Sequence, residues 1–93
     1  MTDKKPIKLI ILMTKEMLVS QIEEVAAMDI GDPNCKLIEP YVVGEQDTLA
    51  PWLVDCTNQN EFMISSDKIL TLDDPKPTLV EKYETFLNNA LLY

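Results

Sequence analysis

The stretch EFMISSDKILTLDDP, residues 61–75, constrains the fold more than any other part of the sequence. It contains two apolar runs of strand length, separated by the polar residues 65–68. A two-residue hairpin turn favours Asn-Gly or Asp-Gly between such runs, and no glycine is present here. Residues 66–68 suit one turn of 3₁₀ helix, capped by the side-chain oxygen of Ser66 or Asp67. We therefore predict two short strands that leave this turn at a steep angle and expose backbone edges in two directions.

Segments upstream of this turn also have the length and composition of β-strands. These segments are 7–13, 17–25, 35–43 and the short extended piece 49–54. Polar loops containing Gly31 and Gly44 separate the later segments, and Gly31 is free to take a positive φ. Pro40 cannot donate a hydrogen bond to a neighbouring strand, so its strand must lie at a sheet edge or bulge at that point.

The second of these segments has a rival interpretation. Residues 15–28, KEMLVSQIEEVAAM, are rich in helix formers, and their apolar positions fit a period of about 3.6 residues. Helix propensity alone slightly favours a helix, whereas the partial alternation over 17–25 fits a strand. The residue pattern by itself leaves both assignments open.

The clearest element is a C-terminal helix over residues 78–91. Its apolar residues recur at helical spacing. They are Leu79, Val80, Tyr83, Phe86, Leu87, Ala90 and Leu91. Such a stripe must cover an apolar surface elsewhere. Short strands followed by one helix predict a mainly β single domain over 7–93, with its strands at about 7–73 and a disordered tail at 1–6.

One pattern within the stretch 61–75 resembles a known family signature. Ile64-Ser-Ser-Asp-Lys-Ile69, followed by Leu72, resembles the second signature of the Sm-like family, Ile-Arg-Gly-x-x-Ile with a later apolar residue. In that family the stretch forms the fourth strand, a 3₁₀ turn and the fifth strand, and neighbouring subunits join fourth to fifth strand into rings. The resemblance therefore implies a homo-oligomeric ring. It places these side chains at the subunit interface: Phe62, Ile64, Ile69 and Leu72.

A fainter pattern resembles the first signature of the same family. Leu12-x-Thr14-x-x-x-Leu18-x-Ser20-x-Ile22 follows its apolar–turn–apolar order, with Lys15 and Ser20 where glycines are usual. Asn34 stands three residues before Leu37, as the family's loop asparagine stands before its leucine. The layout as a whole is similar to that of Sm-like proteins of tailed marine phages.

The resemblance implies both a fold and a ligand. The implied fold is a small, five-stranded, strongly bent Sm-like (SH3-type) open barrel, which makes 17–25 a strand rather than a helix. The implied ligand is single-stranded RNA at the ring pore. Its candidate contacts are Asn34, Ser65, Ser66 and Lys68. Turn capping by the serines, and a loop role for the asparagine, are the structural alternatives for the same side chains.

Departures from the family pattern weaken the RNA assignment. Ser65-Ser66 replaces the Arg-Gly pair that helps to hold RNA, and Ala26-Ala27 stands near the position of an expected aspartate. Sm-like proteins usually begin with a helix across the open end of the barrel, and residues 1–6 are too few to form it. We expect the helix over 78–91 to cover the barrel mouth instead.

Charge indicates a different kind of partner. Sixteen acidic residues oppose eight lysines, for a net charge of −8, and the chain has no arginine. Phosphate backbones are repelled by such a surface, and arginine is the usual side chain that grips them. A basic protein partner fits the charge better. The second functional hypothesis is therefore a structural or adaptor protein of the same fold that docks a basic protein and binds no RNA.

The sequence offers little for catalysis, and we expect no enzyme activity, cofactor or metal site. The chain has no histidine, so no nucleophile has a histidine base nearby. The acidic pairs Glu23-Glu24 and Asp73-Asp74 are adjacent, and on a strand the two members of a pair point to opposite faces. Residues 29–34 lack the spacing of a calcium loop.

The remaining expectations concern cysteines, aromatics and location. Cys35 and Cys56 lack zinc-site spacing and are more often free than paired in an intracellular chain. Tyr41 and Trp52 are candidates for base stacking, although core packing is the commoner role. No apolar stretch approaches the roughly 20 residues needed to span a bilayer, and no signal peptide is evident. A cytoplasmic protein without membrane contact is expected.

Overall fold

The computed structural model describes residues 5–27, 29–53 and 55–91, with the side chains of its helix described as far as residue 88. The strands are β1 (Ile7–Leu12), β2 (Met17–Glu24), β3 (Cys35–Val43), β4 (Leu49–Pro51), β5 (Glu61–Ile64) and β6 (Ile69–Asp73), followed by helix α1 (Pro77–Leu91). Two 3₁₀ turns lie at Glu45–Asp47 and Ser66–Lys68. This confirms a small, mainly β domain with one C-terminal helix. The helical alternative for 15–28 is wrong, because 17–24 forms β2.

The strands form one antiparallel open sheet in the order β4-β3-β2-β1-β6. β5 also pairs with β3, along Cys35–Ile38, whereas β4 pairs with Tyr41–Val43. The two short strands therefore pair with the same edge of β3, β5 along its first half and β4 along its last three residues. The sheet has six strands rather than the predicted five, because the extended piece at 49–54 pairs over Leu49–Pro51; residue 54 lies outside the described residues.

β3 bulges where its partner changes. Val19 pairs with Tyr41 and Gln21 with Ile38, so Ser20 lies opposite two residues, Glu39 and Pro40. Glu39 has a φ of 55°, in the left-handed region that L-residues avoid. Of the two alternatives predicted for Pro40, a sheet edge or a bulge, the structure shows the bulge.

The bulge also exchanges the two faces of β3. Before it, Cys35 and Leu37 face a cluster with Ile10 and Leu18, and after it the residue facing that cluster is Val42. An unbroken strand would keep odd-numbered residues on one face throughout. The full first cluster consists of Ile10, Leu12, Leu18, Ile22, Cys35 and Leu37, with Val42, Trp52, Ile64 and Ile69 packed against it.

Helix α1 packs on the opposite face of the sheet. Its Leu79 and Tyr83 form the second buried cluster with Val19 and Tyr41. Neighbours on β1 alternate between the clusters, Leu9 towards the helix and Ile10 towards the first cluster, which places the helix on the face of the sheet opposite the first cluster. The surface that the helix covers is the face of the sheet formed by β1, β2 and β3, and the expectation that it closes a barrel mouth stays a prediction.

The boundaries of α1 differ slightly from the sequence prediction. The helix begins at Pro77, one residue early, in keeping with proline's preference for the first helical position. The amides of Leu79 and Val80 both donate to the carbonyl of Lys76. The side chains of the predicted stripe residues Ala90 and Leu91 lie outside the described residues.

Tyr83 joins the helix to the bulge in β3. Its ring is fully buried and meets the Tyr41 ring edge-on, with centroids 5.7 Å apart. Its hydroxyl lies 2.8 Å from the Glu39 carbonyl and 3.2 Å from the Ile38 carbonyl, to which it donates, and it accepts from the Gln21 amide at 3.3 Å. Backbone groups that the bulge removes from the strand ladder are thus satisfied by one side chain.

Ser20 supports the same bulge from the other side. It is fully buried, and its Oγ lies 3.1 Å from the Ile38 carbonyl and 2.7 Å from the Gln21 carbonyl. A larger side chain at this position would have to displace the backbone of β3.

The predicted tail at 1–6 is only partly described. Residues 1–4 lie outside the described residues. The Ile22 amide donates to the carbonyl of Pro6 at 3.1 Å, and Lys5 forms an ion pair with Glu23 at 3.1 Å. Pro6 therefore continues the pairing of β1 with β2 by one residue, and the predicted disorder of the tail stays a prediction.

Candidate functional site

The 3₁₀ turn at Ser66–Lys68 forms as predicted. The Lys68 amide donates to the Ser65 carbonyl at 3.0 Å, and the Met13 amide donates to the Lys68 carbonyl at 2.9 Å. The predicted cap by the Ser66 or Asp67 side chain does not form among the described residues, because the Ser66 Oγ accepts from Asn34 Nδ2 and the turn is held from another loop.

That loop contributes Asn34. Its Oδ1 accepts from the Ser66 amide at 2.8 Å, and its Nδ2 donates to the Ser66 Oγ at 3.0 Å. Two of the four predicted RNA contacts are therefore brought together, in contact with each other. The side-chain amide of Asn34 joins the loop after β2 to the turn between β5 and β6.

The other two predicted RNA contacts, Ser65 and Lys68, flank this pair. Lys68 is exposed, and Ser65 lines a shallow cavity of about 160 Å³. Asp32 and Asp67 line the same cavity. Carboxylates beside the candidate contacts oppose the approach of phosphate.

The strands on either side of the turn have different partners. Among the strands that the structure describes, β5 pairs only with β3, and β6 pairs only with β1. Each strand therefore keeps one edge of unpaired backbone donors and acceptors. Such edges are templates for pairing with another chain.

The predicted interface side chains divide into two groups. Ile64 and Ile69 pack against the first cluster of their own chain, and the Phe62 ring lies 5.2 Å from the Trp52 ring. Leu72 is 48% exposed and stays available to a partner.

Two exposed side chains on these strands were missed by the sequence analysis. Met63 on β5 is 49% exposed and Leu70 on β6 is 51% exposed. Ile11 pairs with Thr71 and Leu12 with Ile69, so Leu70 stands at a bulge with no residue opposite it. Simple alternation along β6 cannot reveal this position, because the bulge changes the alternation.

An open groove of about 730 Å³ runs beside β6, towards the end of β2. Its lining includes the apolar side chains of Ile22, Ile69 and Leu72. Charged residues also line it: Lys5, Lys8, Glu23 and Glu24. Lys8 and Asp74 form an ion pair across 2.6 Å near its rim. The unpaired edge of β6 is thus bordered by apolar surface as well as by free backbone groups.

The aromatic and cysteine side chains have structural surroundings. Tyr41 is buried against α1, so its ring is not free to stack a base, and Trp52 is partly buried against the first cluster. Cys35 and Cys56 are both free thiols. Burial, and then the nearby Glu24 carboxylate, raise the pKa of the Cys35 thiol, which makes it a poor nucleophile.

Metal and membrane sites were sought over the same residues. Within 5–27, 29–53 and 55–91, no group of three Cys, Asp or Glu side chains is placed to hold a metal ion. The helix of the described chain has 15 residues, too few to cross a bilayer, which takes about 20.

Comparisons with known proteins give one result. The model of a family described as a family of unknown function (DUF6561) matches residues 5–88. The search of the curated proteins found no match.

Proposed function

Because this chain belongs to the family of unknown function DUF6561, we propose its role from its own geometry: it is a subunit of an Sm-like homo-oligomeric ring that acts as an adaptor for a basic protein. The ring forms when the free edge of β5 in one copy pairs with the free edge of β6 in the next. The acidic outer surface of the ring then attracts its partner.

One observation carries the assembly proposal: two unpaired strand edges on either side of a fixed turn. β5 and β6 leave Ser66–Lys68 towards different partners, and Asn34 holds the turn between them. An edge at each end of the same sheet lets copies join head to tail, and such heterologous contacts close into rings when the rotation permits. Leu70 and Leu72 supply exposed apolar surface along one of these edges.

The backbone at two signature positions supports the Sm-like assignment. Lys15, where the family usually has glycine, has a φ of 77°, a conformation that favours glycine. Lys15 is the last residue of a turn in which its amide donates to the Leu12 carbonyl. Ser20, the other such position, is fully buried opposite the bulge, where space is restricted. Both positions therefore have the local geometry for which the family uses glycine.

Charge and local contacts favour the adaptor over RNA binding. The net charge is −8, and Asp32 and Asp67 lie beside the candidate RNA contacts. Both polar ends of the Asn34 amide are engaged with Ser66, so reading a base would require breaking those bonds. The net contribution of each such hydrogen bond is about 0.5–1.5 kcal/mol.

Light scattering tests the assembly. The chain should give several times its monomer mass of 10.6 kDa. Leu72→Lys places a charge at the 48% exposed edge position and should shift the protein towards monomer. Ile30→Lys, at a fully exposed loop position, is the matched control and should leave the mass unchanged. A monomeric wild-type chain would remove the ring from the proposal.

Fluorescence anisotropy with labelled oligo-U and oligo-A separates the two ligands. We expect no RNA binding even at low salt, where electrostatic attraction is least screened. Micromolar binding that weakens with salt would instead support the RNA-binding hypothesis over the adaptor.

A further inference from the structure

A small cavity lies between β4 and β5, at the point where β3 changes partners. Its volume is about 250 Å³, and its walls include Pro40, Pro51, Trp52 and Phe62, with Glu39 at the rim. Sites for whole small molecules usually measure about 300–1,000 Å³. A cavity of this size therefore suits a single side chain.

The aromatic wall of the cavity is held in place. The Trp52 ring meets Phe62 at 66° with centroids 5.2 Å apart, and its Nε1 donates to a carboxylate oxygen of Glu16 at 3.3 Å. Its amide also donates to the carbonyl of Pro40 at 3.0 Å. A positioned indole offers an apolar surface to an aliphatic stem and a π face to a cation.

Glu39 brings a carboxylate to the same cavity. Its backbone is in the left-handed region, with a φ of 55°, and its amide donates to the Asn60 carbonyl at 2.7 Å. The Asn60 side chain donates to the Glu39 Oε1 at 2.9 Å, which orients the carboxylate. Non-glycine residues held in this conformation are concentrated at functional sites.

This carboxylate has no cation of its own in the described part of the chain. Glu23 pairs with Lys5, and Glu61 with Lys36, whereas no ion pair of Glu39 is formed and no lysine lines the cavity. An apolar wall with one oriented, uncompensated carboxylate is complementary to a side chain with an aliphatic stem and a positive end.

We propose that this cavity receives a lysine or arginine side chain from an extended segment of a basic protein. The stem lies along Pro40, Pro51 and Trp52, and the charged end pairs with Glu39. This inference rests on the proposed adaptor function, because it names the contact by which the ring holds its partner.

Calorimetric titration with an acetylated hexalysine amide tests the inference on the full chain. Glu39→Gln removes the charge and keeps an oxygen that accepts from Asn60, so the fold should be retained, as circular dichroism will show. We expect about tenfold weaker binding for this variant, since it loses a partly desolvated charge pair. Glu24→Gln removes the same unit of charge at the far end of β2 and should weaken binding less than about twofold.

The outcomes distinguish the proposed cavity contact from the proposed adaptor function. Equal weakening in Glu39→Gln and Glu24→Gln would overturn the cavity as the contact, while binding by the wild type would still support an adaptor for basic proteins. No wild-type binding at low salt would overturn the adaptor and the cavity together. Ring assembly is measured separately by light scattering and is unaffected by either result.

Discussion

Tyr83→Phe should destabilise this domain strongly, although it removes a single oxygen atom. The hydroxyl bonds to the Glu39 carbonyl, the Ile38 carbonyl and the Gln21 amide. Ser20 also bonds to the Ile38 carbonyl, so that group keeps a partner in the variant. The Gln21 amide and the Glu39 carbonyl lose theirs.

The magnitude follows from these two orphaned groups. A buried donor or acceptor left without a partner costs about 1–3 kcal/mol, so the variant should lose about 3 kcal/mol in its free energy of unfolding. For a domain of this size, about 1 kcal/mol lowers the melting temperature by roughly 4–8 °C. The expected decrease is therefore roughly 12–24 °C.

Urea unfolding followed by far-UV circular dichroism measures the difference at fixed protein concentration, because assembly would make stability concentration-dependent. Tyr41→Phe is the matched control. Tyr41 packs edge-on against the Tyr83 ring, and over the described residues its hydroxyl makes no hydrogen bond, so its loss should change stability by less than about 0.5 kcal/mol. A Tyr83→Phe variant as stable as Tyr41→Phe would refute the argument that one hydroxyl satisfies the bulge.

Three further predictions concern the same structure. Burial, opposed in part by its bonds to Gln21, raises the pKa of Tyr83 to about 12 from an ordinary value of 10.0. The stability that the raised pKa of Tyr83 contributes should therefore be complete below pH 10 and lost as pH rises through the folded value. Alkaline urea titrations should show this loss, on the order of 2 kcal/mol, in the wild type, and a smaller loss in Tyr83→Phe, where the raised pKa values of Tyr41 and Cys35 remain. Lys15→Gly should raise the free energy of unfolding by about 1 kcal/mol in thermal melts, because glycine adopts the positive φ at this position without strain. Thr14→Gly, at a turn position without a positive φ, is the control and should lower it. A destabilised Lys15→Gly variant would contradict this reasoning. Asn34→Ala should cost about 1–2 kcal/mol and speed hydrogen exchange of the Ser66 amide, and an unchanged exchange rate would show that Asn34 does not hold the turn.

Local features of the sequence predicted most of the strands. β1 and β3 agree with their apolar runs to within one residue, because the turn residues around them are polar or contain glycine. The bounds of β2 agree as well, but its residue pattern also fitted a helix, and only the resemblance to Sm-like proteins made it a strand. The absence of glycine between β5 and β6 predicted the 3₁₀ turn, and Pro40 predicted either a sheet edge or the bulge that the structure shows. These features are local, so a short window of sequence contains what determines them.

Contacts between distant parts of the chain escaped prediction. The Asn34 side chain bonds to a turn 32 residues away, and Tyr83 reaches carbonyls 44 and 45 residues away. The sequence around Asn34 or Tyr83 would look the same whether or not these distant hydrogen-bond partners existed. The sheet face that α1 covers was not predicted for the same reason, because the apolar stripe of the helix indicates burial without indicating the surface that it covers.

The cavity at Trp52 was also missed as a site. Core packing was the favoured interpretation for Tyr41 and Trp52, and Trp52 does pack against the first cluster in part. Its relation to Glu39 arises from the bulge and from the loop that brings Asn60 beside it. Nothing in the spacing of these residues indicates that they line one cavity.

The face exchange in β3 has a consequence for how this chain can change over evolutionary time. Deleting one residue at Glu39–Pro40 would turn Tyr41 away from the helix and direct it into the opposite layer, and inserting one would do the same. Insertions and deletions in β3 should therefore be selected against, whereas the loop between β4 and β5 can gain or lose residues without reorienting any strand. Relatives of this protein should vary in length at that loop and keep the spacing from Cys35 to Val43 constant.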